Sequence, residues 1–436
     1  MLLNAADKAL WRLALPMIFS NITVPLLGLV DTAVIGHLDS PVYLGGVAVG
    51  ATATSFLFML LLFLRMSTTG LTAQAWGAKD PQRLALVQPL ALALGAGVLI
   101  ILLRLPLIDL ALHIVGGSEA VLEQARRFLE IRWLSAPASL ANLVLLGWLL
   151  GVQYARAPVI LLVVGNLLNI VLDLWLVMGL RMNVQGAALA TVTAEYATLI
   201  IGLLMAKRVL TLRGVSLAML KNAWRGDLRR LLALNRDIML RSLLLQLCFG
   251  ALTVFGARLG SDIVAVNAVL MTMLTFTAYA LDGFAYAVEA HSGQAYGARD
   301  GSQLLEVWRA ACRQSGMVAL AFALIYSLAG QYIIALLTSL PSLQQLADRY
   351  LIWQTILPVV GVWCYLLDGM FIGATRGAEM RNSMAVAAAG FAVTLLTLPV
   401  LGNHGLWLAL AVFLALRGLS LALIWRRHWR RGTWFS

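Results

Sequence analysis

The sequence predicts an all-α integral membrane protein of 12 transmembrane helices in two pseudo-symmetric six-helix bundles. Three observations carry this expectation. Hydrophobic residues form 61% of the 436 and charged residues only 12%, with a mean hydropathy of +0.87. The apolar residues gather into about twelve runs, each near the ~20 residues an α-helix needs to cross a hydrocarbon core. Finally, Gln74-Ala75-Trp76-Gly77-Ala78-Lys79-Asp80 returns 220 residues later as Gln294-Ala295-Tyr296-Gly297-Ala298-Arg299-Asp300. A repeat at half the chain length marks one membrane unit built twice.

In order, the runs of the first half cover 11–36, 44–72, 84–105, 128–151, 157–179 and 186–206. Those of the second cover 238–259, 264–290, 305–328, 350–374, 384–401 and 405–425. The first run is not a cleavable signal peptide, because it carries Asp31 and lacks a small-residue cleavage site. The halves match in register beyond the heptapeptide: Gly36 with Gly256, Ala48-Val49 with Ala268-Val269, Phe56 with Phe276 and Leu61 with Leu281. Gly147-Trp148-Leu149-Leu150-Gly151 likewise resembles Gly369-Met370-Phe371-Ile372-Gly373. The expected division is therefore an N-terminal bundle at 1–210, a linker at 211–235 and a C-terminal bundle at 236–436. Six helices per copy is an even number, so both copies enter the membrane the same way up. They should be related by a pseudo-twofold along its normal. The heptapeptide joins the second and third helices of each half. Gly77 and Gly297 are expected to make the tight turn, with Lys79/Asp80 and Arg299/Asp300 pairing locally or meeting headgroups.

Basic residues orient the chain. Lys8 and Arg12 precede the first run, Lys79 and Arg83 follow the second, and Arg156 separates the fourth from the fifth. Lys207, Arg208, Arg213, Lys221, Arg225, Arg229, Arg230 and Arg236 crowd the central connection, and Arg426, Arg427, Arg430 and Arg431 close the chain. The alternate connections are poorer in them, so the positive-inside rule places both termini and the linker in the cytoplasm. The net charge of +12 thus sits at membrane borders, where anionic lipid is the natural partner. No compact basic domain is present to hold nucleic acid. Cys248, Cys312 and Cys364 have neither metal nor redox spacing and read as small core residues.

There is no phosphate-binding GxxxxGK[ST] loop, nor an HExxH or GxSxG signature, which argues against an ATPase and against common membrane hydrolases. Any work done should draw on an ion gradient, and ionisable groups inside apolar runs become the functional candidates. Asp31 lies late in the first run, after Pro16 and Pro25, each of which removes a backbone donor and can bend a helix. Asn169 and Asp173 are four residues apart on one face of the fifth run, and Thr191 of the sixth can complete a polar cluster. The plain alternative is a structural hydrogen-bond network. In the second half, Asp282 and Glu289 share a face of the eighth run and Asp368 lies inside the tenth. Glu289, near the cytoplasmic end, reads as solvated or paired with Arg299. Asp282 reads either as a cavity group or as a structural bond. His291 reads as a satisfied interfacial histidine, and Arg65 as a side chain snorkelling to the cytoplasmic border.

These features together resemble the multidrug and toxic compound extrusion (MATE) family, most closely its DinF branch, over essentially the whole chain. Its local signs are Leu13-Ala14-Leu15-Pro16, Val30-Asp31-Thr32-Ala33-Val34-Ile35-Gly36, the two heptapeptides, and Gly-Phe-Ala-Tyr-Ala-Val-Glu-Ala at 283–290. The resemblance implies a V-shaped pair of bundles, opening alternately to exchange H+ or Na+ for bulky cationic or amphipathic compounds. In proton-coupled members an aspartate on the first helix works with Asn and Asp on the fifth and Thr on the sixth. Asp31, Asn169, Asp173 and Thr191 match that set, and Pro16 matches the bending proline. A sodium-coupled branch uses carboxylates on helices seven and ten. Asp368 matches the second, but the helix-seven position reads Leu245 beside Gln246. The expected reading is therefore a proton-coupled antiporter of the bacterial inner membrane, working as a monomer, with no cofactor or resident metal. Na+ coupling is the alternative. A lipid-linked intermediate flippase of the wider superfamily is another; it would need a cationic groove, whereas the arginines gather at cytoplasmic borders.

Overall fold

The computed structural model describes residues 5–36, 41–79, 87–212 and 228–436, without the side chains of 23–33, 36, 41, 87 and 212. The described chain is helical almost throughout. Nine helices fall in the first half: α1 (Ala5–Gly36), α2 (Pro41–Leu60), α3 (Phe63–Gly77), α4 (Val87–Leu102), α5 (Arg104–Val115), α6 (Glu119–Arg132), α7 (Ala136–Gly151), α8 (Arg156–Asp173) and α9 (Asn183–Leu212). The second half holds α10 (Leu228–Leu259), α11 (Ser261–Ala298), α12 (Gly301–Leu337), α13 (Pro341–Gly373), α14 (Gly377–Thr394), the short α15 (Leu398–Leu401) and α16 (Asn403–Arg431). Among the described residues ten stretches are long and apolar enough to cross a bilayer, and α4 with α5 makes an eleventh that is bent by 74°. With α1, these account for the twelve runs of the sequence.

The bend after α4 refines the third run, which was expected to end at 105. Pro106 has no N–H to offer the Leu102 carbonyl one turn earlier, so the helix breaks at Leu103 and resumes in a new direction to Val115. The exposed leucines of α12, among them Leu320, Leu324 and Leu328, recur every four residues along one helix face. Such a stripe suits the hydrocarbon of a bilayer.

The chain forms two compact units, one of Ile22–Arg229 and one of Met1–Asn21 with Arg230–Ser436. Residues 5–21 therefore pack with second-half helices. In that C-terminal unit Gly283 lets α1 approach α11 closely: a Cβ there would lie 2.2 Å from Ile18 Cγ1 and 3.0 Å from Ile18 N. Trp11 stacks edge-on against Phe284 at 5.0 Å and donates to Gln314 Oε1 at 2.9 Å, while Arg313 pairs with buried Asp7 at 3.1 Å. Most of the expected linker, residues 213–227, lies outside the described residues.

The same packing device recurs in both units. α7 lays Gly147 and Gly151 on α3, where added Cβ atoms would lie 2.5 Å from the Arg65 carbonyl and 2.8 Å from Thr72 Cβ. α13 lays Gly369 and Gly373 on α11, with added Cβ atoms 2.6 Å from the Ala285 carbonyl and 2.6 Å from Ser292 Oγ. Small residues four apart let helix backbones touch where there is no hydrophobic gain to drive association. The heptapeptide ends the receiving helix in each case. Its turn is not made by glycine: Gly77 and Gly297 are helical, and the left-handed residues are Lys79 and Arg299, both at φ 54°. After Arg299, Asp300 accepts from Gln303 N at 3.1 Å and so caps α12, satisfying a donor the new helix leaves open. Asp80 lies outside the described residues.

Candidate functional site

In the N-terminal unit, α8 and α9 pack against each other and bring two of the expected residues together. Thr191 Oγ1 lies 3.4 Å from Asn169 Oδ1 and 3.2 Å from the Ala187 carbonyl, sharing its proton between them. Asn169 and Asp173 are both buried. Four residues apart, they lie on the same face of α8. Asp173 is the last α-helical residue before a π turn, Leu174–Gly179, in which Leu180 N reaches the Trp175 carbonyl at 2.9 Å. Such wide turns relax the helical ladder and recur at functional sites. The side chains of Asp31 and Pro25 lie outside the described residues; Pro16 is half-buried within α1.

A second polar group continues this face one turn further along α9. Glu195 accepts from Asn142 Nδ2 at 3.0 Å, and the same Nδ2 reaches the Glu195 carbonyl at 3.1 Å. Arg132 Nη2 stands 3.9 Å from Glu195 Oε1. Glu195 escaped the sequence reading although it lies inside the sixth run. A charged residue within an apolar run was the available signal.

The C-terminal unit holds a different constellation. Asp368 accepts from Arg241 Nη2 at 2.5 Å and from Arg417 Nη2, so two guanidinium groups meet one carboxylate oxygen. α10, α13 and α16 supply one residue each, and all three side chains are buried. Arg417 also lies over the Phe413 ring at 5.6 Å. Placing the arginines at cytoplasmic borders thus missed two that sit inside membrane helices. Charge within the runs 238–259 and 405–425 was again the signal.

Two further expectations are corrected. Glu289 is 2% exposed and so is not solvated; it lies where α13 seats Gly373 against α11. Arg65 is 3% exposed and reaches Thr69 Oγ1 at 3.3 Å, so it turns inward rather than snorkelling. Close glycine packing by α7 covers it. Asp282 is half-buried, and His291 Nε2 lies 3.2 Å from the Ala9 carbonyl, satisfied as expected. Among the described residues no cluster of His, Cys, Asp or Glu can hold a metal ion. The three cysteines are free, two of them buried.

A duplicated set of helices long and apolar enough to cross a bilayer, with charge buried inside each unit, defines the class as a multi-pass membrane protein built twice. The MatE family model matches twice, over residues 16–175 and 238–401, one match per half, and the chain belongs to this family of membrane transporters. It is 87% identical to the DNA damage-inducible protein F of Escherichia coli K12, over 100% of this chain and 95% of that protein. It is 23% identical to the probable multidrug resistance protein NorM of Acinetobacter baylyi, over 96% of this chain and 94% of the relative. A crystal structure of a MATE protein in its bent conformation superposes with a TM-score of 0.84 at 24% identity, covering 98% of this chain and 96% of that one.

Proposed function

We propose that the protein exports amphipathic or cationic small molecules across the bacterial inner membrane in exchange for protons, with both termini in the cytoplasm. Asp31, Asn169, Asp173 and Thr191 form the proton-coupling set, and Pro16 and Pro25 let the first helix bend. The observation that carries this reading is the Thr191–Asn169 hydrogen bond beside buried Asp173, at the point where α8 opens into a π turn. A carboxyl group so placed can take up a periplasmic proton. Its neutralisation changes what the helices around it must satisfy, and that biases the transporter between its two openings. Proton and substrate are coupled because they favour different openings. Asp282, Glu289 and Asp368 are candidates for substrate contact or for a second coupling site in the other unit. One chain carries both halves, so a monomer suffices.

Reconstituted protein tested under separate H+ and Na+ gradients decides the coupling ion. Organic-cation transport should follow the pH gradient and fall to background in Asp31→Asn and Asp173→Asn. Undiminished transport in both variants, or transport driven by Na+ alone, would sink the assignment. A second reading, flipping of a phosphate-bearing lipid-linked intermediate, is favoured by the two arginines inside the C-terminal unit. Both are engaged by Asp368, which leaves that reading second. A lipid-scrambling assay separates the two.

A further inference from the structure

Glu195 is a carboxylate deep in the membrane part of the N-terminal unit that the proton-coupling set does not use. It lies twelve residues into α9, about 18 Å along the helix at 1.5 Å per residue, and one turn beyond Thr191. Three features set it apart from a closed structural ion pair. Its nearest cation, Arg132 Nη2, is 3.9 Å from Oε1, beyond hydrogen-bonding distance. The Glu195 side chain is 29% exposed while that of Arg132 is 12% exposed, so the carboxylate is the more accessible partner. Asn142 donates to Oε2, yet its own Oδ1 is buried with no donor among the described residues.

Arg132 is also held independently of Glu195. Its Nη1 donates to Ser135 Oγ, and its guanidinium lies over the Phe58 ring at 5.4 Å. A delocalised cation between an aromatic face and a carboxylate, with an amide beside it, has the chemistry of an organic-cation site. Here the cation is part of the protein.

We propose that Glu195, Asn142 and Phe58 form a binding site for the charged group of an organic cation, and that the Arg132 guanidinium occupies it as a tethered competitor. An incoming cation would take the Glu195 carboxylate and the face of Phe58, while Arg132 keeps its bond to Ser135. Binding then requires displacing Arg132, and the apparent affinity is reduced by the fraction of time the arginine occupies the site. The inference rests on the reading of the chain as an exporter of organic cations and names the acid that receives their charge.

The test is calorimetric binding to the full-length protein in lipid nanodiscs at mildly alkaline pH. Tetraphenylphosphonium is the probe, and tetraphenylborate is a control of the same shape and opposite charge. Glu195→Gln should weaken tetraphenylphosphonium binding about tenfold or more and leave tetraphenylborate unaffected. Arg132→Gln, which removes the competitor and keeps the carboxylate, should tighten tetraphenylphosphonium binding about threefold or more. Unchanged binding in Glu195→Gln, or binding weakened alike by both substitutions, overturns the proposal. Should Glu195→Gln not fold, Arg132→Gln decides alone: tighter binding supports the site, and equal or weaker binding overturns it. The measurement involves no gradient, so its failure is distinct from failure of proton coupling, which Asp31→Asn and Asp173→Asn report in proteoliposomes.

Discussion

Asp368→Asn isolates the electrostatics of the C-terminal unit, because the unit contains its own control. Asp368 bridges Arg241 and Arg417, and the side chains of the three are 10%, 8% and 5% exposed. Asp237, whose side chain is just as buried at 9% exposed, bridges Arg381 and Arg236 at 2.6 and 3.4 Å, but those arginines are 31% and 62% exposed. The substitution is the same at both places: one charge is removed between two guanidinium groups. At Asp368 it leaves two buried cations without their counter-ion, which costs about 3–5 kcal/mol. At Asp237 water and counter-ions can solvate the released arginines, and the cost should be about 1 kcal/mol. For a unit of about 230 residues, each kcal/mol shifts the midpoint by roughly 2–4 °C. Asp368→Asn should therefore lower the thermal midpoint by roughly 6–20 °C and Asp237→Asn by about 2–4 °C. Thermal unfolding in detergent, followed by tryptophan fluorescence, measures both. Equal shifts for the two variants, or none at Asp368, would refute the claim that burial makes the inner cluster the stronger one.

Two further substitutions read packing and polar satisfaction. Gly97 and Gly95 lie two residues apart on α4. A Cβ at Gly97 would lie 2.3 Å from Pro137 Cα and 2.4 Å from Pro137 N, whereas one at Gly95 meets nothing within 4 Å. Gly97→Ala should cost about 1–3 kcal/mol because backbone cannot rotate away. Gly95→Ala should gain up to about 1 kcal/mol from helix propensity, and thermal midpoints of opposite sign are the check. Gln354 in α13 is buried, and neither Nε2 nor Oε1 meets a hydrogen-bonding partner among the described residues. Gln354→Leu should raise stability by about 1 kcal/mol in the same assay, and a lower midpoint would show that the amide is satisfied.

The architecture was legible because each of its causes is local and repeated. Lipid allows only helices or closed barrels to satisfy their backbones, and continuous apolar runs of about 20 residues suit the helix, not the barrel strand of about 10. The repeat then sets how they group. What the pattern could not show was geometry set by single residues. Nothing in the apolar content of 84–115 reveals a 74° turn; the missing N–H of Pro106 does. The heptapeptide misled in the opposite sense. Glycine is the usual residue at positive φ, yet the turn falls two residues later on Lys79 and Arg299. The glycines remain helical, and in the second copy the aspartate that closes the motif caps the next helix. The grouping of residues 5–21 with the C-terminal unit was hidden for a related reason, since sequence order is silent about tertiary partners such as Gln314 and Arg313.

The candidate site was legible where polar residues interrupt an apolar helix on one face, as the buried Asn169 and Asp173 do. It was obscured where charge was read only as topology. Counting arginines for orientation assigns each one to a border, and that rule hides a cation that the fold has neutralised. Arg417 is invisible to it because its partner, Asp368, lies 49 residues away in sequence. Arg132 is invisible because a run starting at 128 puts it at the border of a membrane-length helical stretch that in fact begins at Glu119 and continues to Gly151. The two units thus use buried charge differently. In the C-terminal unit, two arginines close on one acid and leave it little freedom to respond. In the N-terminal unit, Glu195 faces one arginine at a distance too long for a hydrogen bond. A carboxylate can answer a ligand only if its existing partner can be displaced. By that criterion the N-terminal unit is the better candidate for receiving a cation, with Glu195 one helical turn along α9 from Thr191 of the proposed proton-coupling set.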